Sequence, residues 1–301
     1  MSVLVVGSIA LDTVKTPFGE ATDAVGGSGV YFAAGASFFT PVNVVGVVGQ
    51  DFPMHSLDFL KARGVDLHGL SVKPGKTFRW SGVYGFDLNV RETLDTQLNA
   101  FATFKPSIPD VYRKTDYVFL ANIDPELQLD VLRQVERPRL VVCDTMDFWI
   151  EGKRDALLRT LQEVDVLILN DAETRELAEE ADLIKAARRV LTMGPKTVVV
   201  KKGEHGALLI SSDAFFAAPA FPTESVFDPT GAGDSFAGGF VGHLARTGDL
   251  SHETMRQAVI YGSVIASFNV ERFSMERLKS LSQEEIRERF RAFQKITHFD
   301  E

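Results

Sequence analysis

Four β-branched runs dominate the middle of the chain: DYVFLAN (residues 116–122), RLVVCDT (139–145), VDVLILN (164–170) and KTVVVKKG (196–203). Between and around them, at 125–135, 154–163 and 172–191, apolar residues recur at helical spacing. Parallel strands cannot be joined by tight turns, so each needs a crossover, and a helix is the usual one. The rhythm therefore predicts an α/β fold: a parallel sheet with helices on both faces. Runs at 3–9 and 42–49 read as two more strands, with a small-residue helix at 26–39 between them. A helical pattern at 53–65 has its stop at Gly64. GALLIS and DAFFAAPA read as an antiparallel pair, and the last third as helices at 235–247, 252–268 and 283–297.

Residues 76–105 break that rhythm. They are rich in Thr, Phe, Trp and Tyr, alternate in part, and turn near Asp87. No helix-length pattern interrupts them. A β insertion in an α/β chain predicts a small separate sheet, such as a flap or lid. An exposed edge of such a sheet is a place where a homodimer can form.

Composition excludes several classes. A chain of 301 residues can bury a large core without crosslinks. Its one cysteine, Cys143, permits no intrachain disulfide and fits a reducing cytoplasm. Lying in a β-branched run, it is expected as a buried thiol. A net charge of −9 argues against a general nucleic-acid binder. No apolar run approaches the roughly 20 residues of a membrane span, and the first residues lack the basic region of a signal peptide. The six histidines show no metal-ligand spacing.

The most specific stretch is FDPTGAGDSFAGGF, residues 227–240. It follows the strand-like TESVF and opens an apolar helical pattern. The first amides of a helix lack intrahelical partners and sit at the positive end of its dipole. Gly231, Ala232 and Gly233 leave them bare, which makes an anion site. A carboxylate there, Asp234, suits a base that takes a proton from a hydroxyl while the amides hold a phosphoryl group. An N-cap aspartate after a glycine turn is the bland alternative. A P-loop would need a Gly-Lys-Ser/Thr ending, and a dinucleotide fingerprint a glycine where Phe236 stands.

DPTGAGDSFAGGF resembles the C-terminal signature of the ribokinase-like (PfkB) carbohydrate kinases. GSIALD, GGSGVYFA, NDAE and KKGEHGAL resemble other family motifs in the expected order, so the resemblance covers nearly the whole chain. It implies a doubly wound, mostly parallel sheet with a small β-sheet lid, the lid formed by residues 12–24 and 76–105 of a single 1–301 domain, and an ATP-dependent kinase acting on a hydroxyl of a sugar-like molecule. Asp234 is then the catalytic base and Gly231, Ala232 and Gly233 the anion hole. Asp12, read as closing the first strand, holds substrate hydroxyls, with Gly26 and Gly27 lining the sugar site. Tyr31 stands where the family usually has asparagine, and stacks on substrate or fills space. Arg79 and Trp80 read an anionic or flat part of the substrate, or pack within the lid. Asn170, Lys201, Gly203, Gly206 and Asn269 border the nucleotide, and Glu173 organises Mg2+. Taken alone, Asn170 and Glu173 also spell a helix capping box. Asp228 holds a monovalent cation or simply forms a turn before Pro229. Asp144 and Asp147 follow a strand near the phosphates. The rival within the class is a nucleoside kinase acting on a ribose 5′-hydroxyl; outside it, a non-catalytic ligand sensor on the same fold.

Overall fold

The structure is a computed structural model, and it describes residues 1–298. The strands are β1 (Val3–Val6), β2 (Ala10–Thr16), β3 (Gly19–Gly26), β4 (Val42–Gly49), β5 (Val65–Lys73), β6 (Phe78–Tyr84), β7 (Arg91–Gln97), β8 (Tyr117–Leu120), β9 (Leu140–Asp144), β10 (Val166–Asn170), β11 (Thr197–Lys201), β12 (Ala207–Ser211) and β13 (Phe215–Ala218). The helices are α1 (Ser28–Ala36), α2 (Asp58–Ala62), α3 (Pro125–Leu132), α4 (Asp147–Gly152), α5 (Arg154–Leu161), α6 (Asp171–Ala178), α7 (Leu183–Leu191), α8 (Ala232–Thr247), α9 (His252–Asn269), α10 (Glu276–Ser280) and α11 (Gln283–Thr297).

Nine strands form one sheet in the order β13-β12-β11-β10-β9-β8-β1-β4-β5. All its pairings are parallel except those of β12 with β11 and β13. Because side chains alternate along a strand, each buried strand feeds two cores. Val3, Val5, Phe119, Ile168 and Val199 face α1, α8 and α9. Leu4, Val6, Leu120, Leu167 and Val200 face α3, α5, α6 and α7, and Cys143 lies in this second core, fully buried. The chain winds from β1 to β4 and β5 in one direction, then restarts at β8 on the other side of β1. Ligands in such sheets bind beyond the carboxyl ends of the strands, at that reversal.

The second sheet has the order β3-β2-β6-β7. Its strands come from residues 10–26 and 78–97, so it matches the predicted insertion. Several local expectations are corrected. The first run ends at Val6, and Asp12 belongs to β2 of the small sheet rather than to the first strand. TESVF forms no strand; the Phe227 N–H bonds instead to the Val270 carbonyl at 2.8 Å. The helical pattern at 172–191 is two helices, broken where Glu179 adopts a left-handed conformation (φ 51°). β5 and α4 were not foreseen.

The feature that holds the site together is the crossing of α1 and α8. A Cβ on Gly238 would lie 2.4 Å from the Phe32 carbonyl oxygen, and one on Gly35 would lie 2.8 Å from that of Ser235. The two backbones thus touch, and both helix N-termini open toward one cleft. Gly238→Ala gains helix propensity but drives a methyl into backbone that cannot rotate away. It is expected to destabilise the fold by about 1–3 kcal/mol and to lower turnover. Denaturant unfolding of the purified variant checks this, and unchanged stability would contradict the close crossing.

Candidate active site

Three adjacent strands deliver polar residues at their carboxyl ends: Asp144 from β9, Asn170 from β10 and Lys201 from β11. Asn170 and Lys201 are directly paired in the sheet. Lys201 Nζ lies 3.5 Å from Asp144 Oδ2. It also lies 2.8 Å from where a Cβ on Gly233 would be, so its ammonium rests against the glycine turn.

That turn is built as the spacing suggested, with one difference. Gly231 is left-handed (φ 74°) and its α-carbon sits on the ring of Tyr31, since a Cβ would fall 2.3 Å from it. The Ala232 N–H is committed to the Pro229 carbonyl at 3.1 Å, closing a turn. Among the described residues the amides of Gly231 and Gly233 donate to no other protein group. Of the three expected anion-hole amides, those of Gly231 and Gly233 are thus left to meet a ligand, and that of Ala232 is not. Asp234 follows on the first turn of α8, reachable from the cleft yet enclosed by protein on its other sides.

Electrostatics there are dominated by burial. Asp234 is pushed up to about 7, first by loss of water and then by the charge of Asp144, with Lys201 and Arg91 acting in opposition. Glu173, 7% exposed, is also pushed up to about 7, by burial first and with Lys201 opposing. Lys201 is raised: burial works against its charge, but Asp144, Glu173 and Asp234 together outweigh it. Asn170 and Glu173 form a full capping box on α6, with Asn170 Oδ1 accepting from the Glu173 amide at 2.7 Å and Glu173 Oε2 accepting from the Asn170 amide at 2.8 Å. The other oxygen of Glu173 takes no part in the box.

On the opposite wall stands the small sheet. Asp12 is 6% exposed and pushed up to about 7 by burial first, opposed by the Gly27 amide and reinforced by Asp228 and Asp234. A Cβ on Gly26 would lie 1.9 Å from Asp12 Oδ2, and Gly27 has φ 94°, so both glycines are required for this carboxylate to lie on the backbone. Asp12 and Trp80 are neighbours across β2 and β6 and share a face with Gly82 and Tyr84. The Trp80 ring lies over Gly82, and its Nε1 donates to Thr93 Oγ1 at 3.3 Å.

Other predicted residues have different duties. Arg79 points to the far face and is engaged by Asp51 (2.8 Å) and Asp23 (3.1 Å), so it is not free to read an anionic substrate. Tyr31 is 2% exposed beneath the glycine turn and offers no face for stacking. Asn269 is fully buried; its amide donates to the Thr230 carbonyl at 2.8 Å and its oxygen accepts from Ser235 at 3.2 Å, clamping the turn from behind. Gly206 (φ 88°) lets β13 approach, since a Cβ would meet the Ala218 carbonyl oxygen at 2.0 Å. Gly203 is met by the small sheet instead: a Cβ there would lie 1.8 Å from Asn89 Oδ1.

Two residues escaped the sequence reading. Tyr84 shares the Asp12 face, and its hydroxyl lies 3.4 Å from Thr230 Oγ1. Arg91, on β7, reaches Asp147 across the cleft at 3.4 Å, and its charge is felt by both Asp234 and Glu173. The alternation Trp80, Gly82, Tyr84 was the available signal for the first. Nothing local marks Arg91.

Two ions are implied by the resemblance. A site with several enclosed carboxylates and few cations suits Mg2+. Among the described residues no three acidic, imidazole or thiol groups converge to cage it, so most of its ligands would be phosphate and water oxygens, with Glu173 nearby. Asp228 is 1% exposed and accepts from the amides of Thr230 (2.9 Å) and Ser274 (3.0 Å) and from the Thr230 hydroxyl. No basic side chain among the described residues pairs with it, which fits a monovalent cation as its counter-charge.

Residues 3–279 match the model of the pfkB family carbohydrate kinases. A cytidine kinase of Thermococcus kodakarensis is 30% identical over 251 residues, 82% of this chain and 89% of that one. Among solved structures, the nucleoside kinase of Methanocaldococcus jannaschii superposes with a TM-score of 0.76 at 20% identity, covering 97% of this chain and 98% of its own. A ribokinase II of E. coli, determined with ATP and Mg2+, superposes at 0.75 and 20% identity over 98% and 99%. A cleft built this way, in a chain matched almost end to end, makes the protein a member of the pfkB family of carbohydrate kinases, a phosphotransferase acting on a hydroxyl group.

Proposed function

We propose that the acceptor is a nucleoside, phosphorylated on its ribose 5′-hydroxyl with Asp234 as the general base. The observation that carries the reading is Asp234 itself: a carboxylate poised near neutrality beside the Gly231 and Gly233 amides, which donate to no other group among the described residues. Asp12 accepts hydrogen bonds from the ribose hydroxyls, and Trp80, on the same face, borders the base. The similarity to the T. kodakarensis cytidine kinase supports a nucleoside over a free sugar.

In this scheme Asp234 takes the proton of the 5′-hydroxyl, and that oxygen attacks the γ-phosphorus. The bond to the bridging oxygen breaks, and ADP leaves. The amides of Gly231 and Gly233 stabilise the charge on the transferring group, and Lys201 and Arg91 flank it. Mg2+ near Glu173 would supply further neutralisation of the phosphates, and a monovalent cation at Asp228 would balance the charge behind the turn. The small sheet acts as the lid: with Asn89 against Gly203 and Arg91 against Asp147 it excludes water from the cleft. Its outer strand β7 is exposed along its whole length, with Leu94 outward and exposed Leu98 just past its end, which favours a homodimer through that edge. No helix among the described residues is long and apolar enough to cross a membrane, and the single buried thiol suits a cytoplasmic enzyme.

ADP release from Mg-ATP across nucleosides, sugars and polyols is the test of the acceptor. Cytidine or another nucleoside should stimulate it, and Asp234→Asn should lower kcat by about a thousandfold while the protein stays folded. A free sugar as the sole acceptor would overturn the nucleoside assignment; near-normal turnover by the variant would overturn the base. The pH profile follows with a definite sign. A base must be ionised, so kcat/KM of the wild type should fall as pH drops through about 7. A rate flat from about pH 8 to about pH 5 would contradict it.

A further inference from the structure

The mechanism leaves one enclosed carboxylate without a task. Asp144 is 4% exposed and closes β9. Its side chain is fixed on one side, where Oδ1 accepts the Thr145 amide at 2.9 Å. Its backbone is fixed from below: the Asp144 carbonyl accepts from Gln128 Nε2 at 3.0 Å, and the same nitrogen donates to the Ala121 carbonyl at 2.9 Å. Gln128 is fully buried and thus ties together the ends of β8 and β9. The remaining oxygen, Oδ2, faces Lys201 Nζ at 3.5 Å, across the end of β10. A carboxylate has no affinity for a triphosphate, so contact with the nucleotide does not explain a residue held this firmly.

Lysine has a flexible four-carbon stem and a compact charge. Left free, the Lys201 ammonium would settle against the nearest accessible carboxylate, and Asp234 is one of the three that surround it. Such a pair would neutralise the base and withdraw the cation from the anion site. We propose that Asp144 is a positioning residue that holds the Lys201 ammonium beneath Gly233, away from Asp234, where the transferred phosphoryl group arrives. Asp144 then acts on turnover only through Lys201. The proposal rests on reading Lys201 as a contact of that phosphoryl group.

A double-mutant cycle separates the two. Asp144→Asn, Lys201→Met and the double variant are compared with the wild type for kcat, for KM of ATP and acceptor, and for melting temperature. Asp144→Asn is expected to lower kcat about tenfold with the acceptor KM unchanged, and Lys201→Met about a hundredfold. The double variant should match Lys201→Met within about twofold, because the carboxylate has nothing left to hold. If Asp144→Asn fails to fold, Asp144→Ser, which keeps a partner for the Thr145 amide without the charge, takes its place with the same expectation. If Asp144→Asn costs the same factor in kcat whether or not Lys201→Met is also present, or costs nothing on its own, the inference is overturned and Lys201 keeps its role. Wild-type kcat in Lys201→Met overturns both.

Discussion

A single ammonium among three carboxylates is the constraint around which the cleft is organised. Lys201 meets Asp144 directly and lies in the fields of Glu173 and Asp234. Each acid comes from a different element; Asp144 and Glu173 are enclosed, and Asp234 is open only toward the cleft. Burial raises the proton affinity of all three, those of Glu173 and Asp234 to about 7, and the opposing charge of Lys201 does not cancel it, whereas in a surface salt bridge the affinity would fall. That is unfavourable for folding and useful for chemistry. A carboxylate near 7 can take a proton at physiological pH, and an undercompensated acidic site welcomes a metal ion bound with its phosphates.

The rest of the architecture keeps this cluster in place. Parallel pairing aligns the ends of β9, β10 and β11, which brings Asp144, Asn170 and Lys201 to one edge. The tight crossing of α1 and α8 sets the glycine turn against Tyr31 and above Lys201. Asn269 and Asp228 brace that turn from behind through Thr230. The small sheet then closes the space from the other side. It presents Asp12, Trp80 and Tyr84 on one face and carries Arg91 across to Asp147. The polar groups of the cleft thus sit on buried strands and helix ends, and the element that covers them is the more exposed one.

How far this could be read from sequence follows from the range of the interactions involved. Hydrophobic periodicity and glycine spacing are local, so the large parallel sheet, the β insertion and the Asp234 turn were legible. The NDAE segment was legible twice over, because Asn170 and Glu173 complete a capping box whatever else they do. What failed depends on partners distant in the chain. Arg79 looked free until β2 and β6 brought Asp23 and Asp51 beside it. Between stacking on substrate and filling space, Tyr31 does the second, because its burial under Gly231 comes from a segment far later in the chain. Asn269, expected beside the nucleotide, has both ends of its amide satisfied by Thr230 in the turn and Ser235 at the start of α8. Ala232 differs by a single turn hydrogen bond, a detail that composition does not carry.

The central claim is that Asp234 is held ionisable near neutral pH at the expense of stability, and unfolding free energy as a function of pH reads this without reference to any substrate. Asp234 has a higher proton affinity folded, near 7, than unfolded, near its ordinary value of 3.8. Its contribution to stability is therefore full below about 4 and lost progressively as pH rises through about 7. Asp234→Asn removes that dependence. The difference in unfolding free energy between variant and wild type should shift in favour of the variant from about pH 4 to about pH 7 and then level off. A difference that stays constant across that range would mean that Asp234 is an ordinary carboxylate, and the charge balance described for the cleft would fail with it.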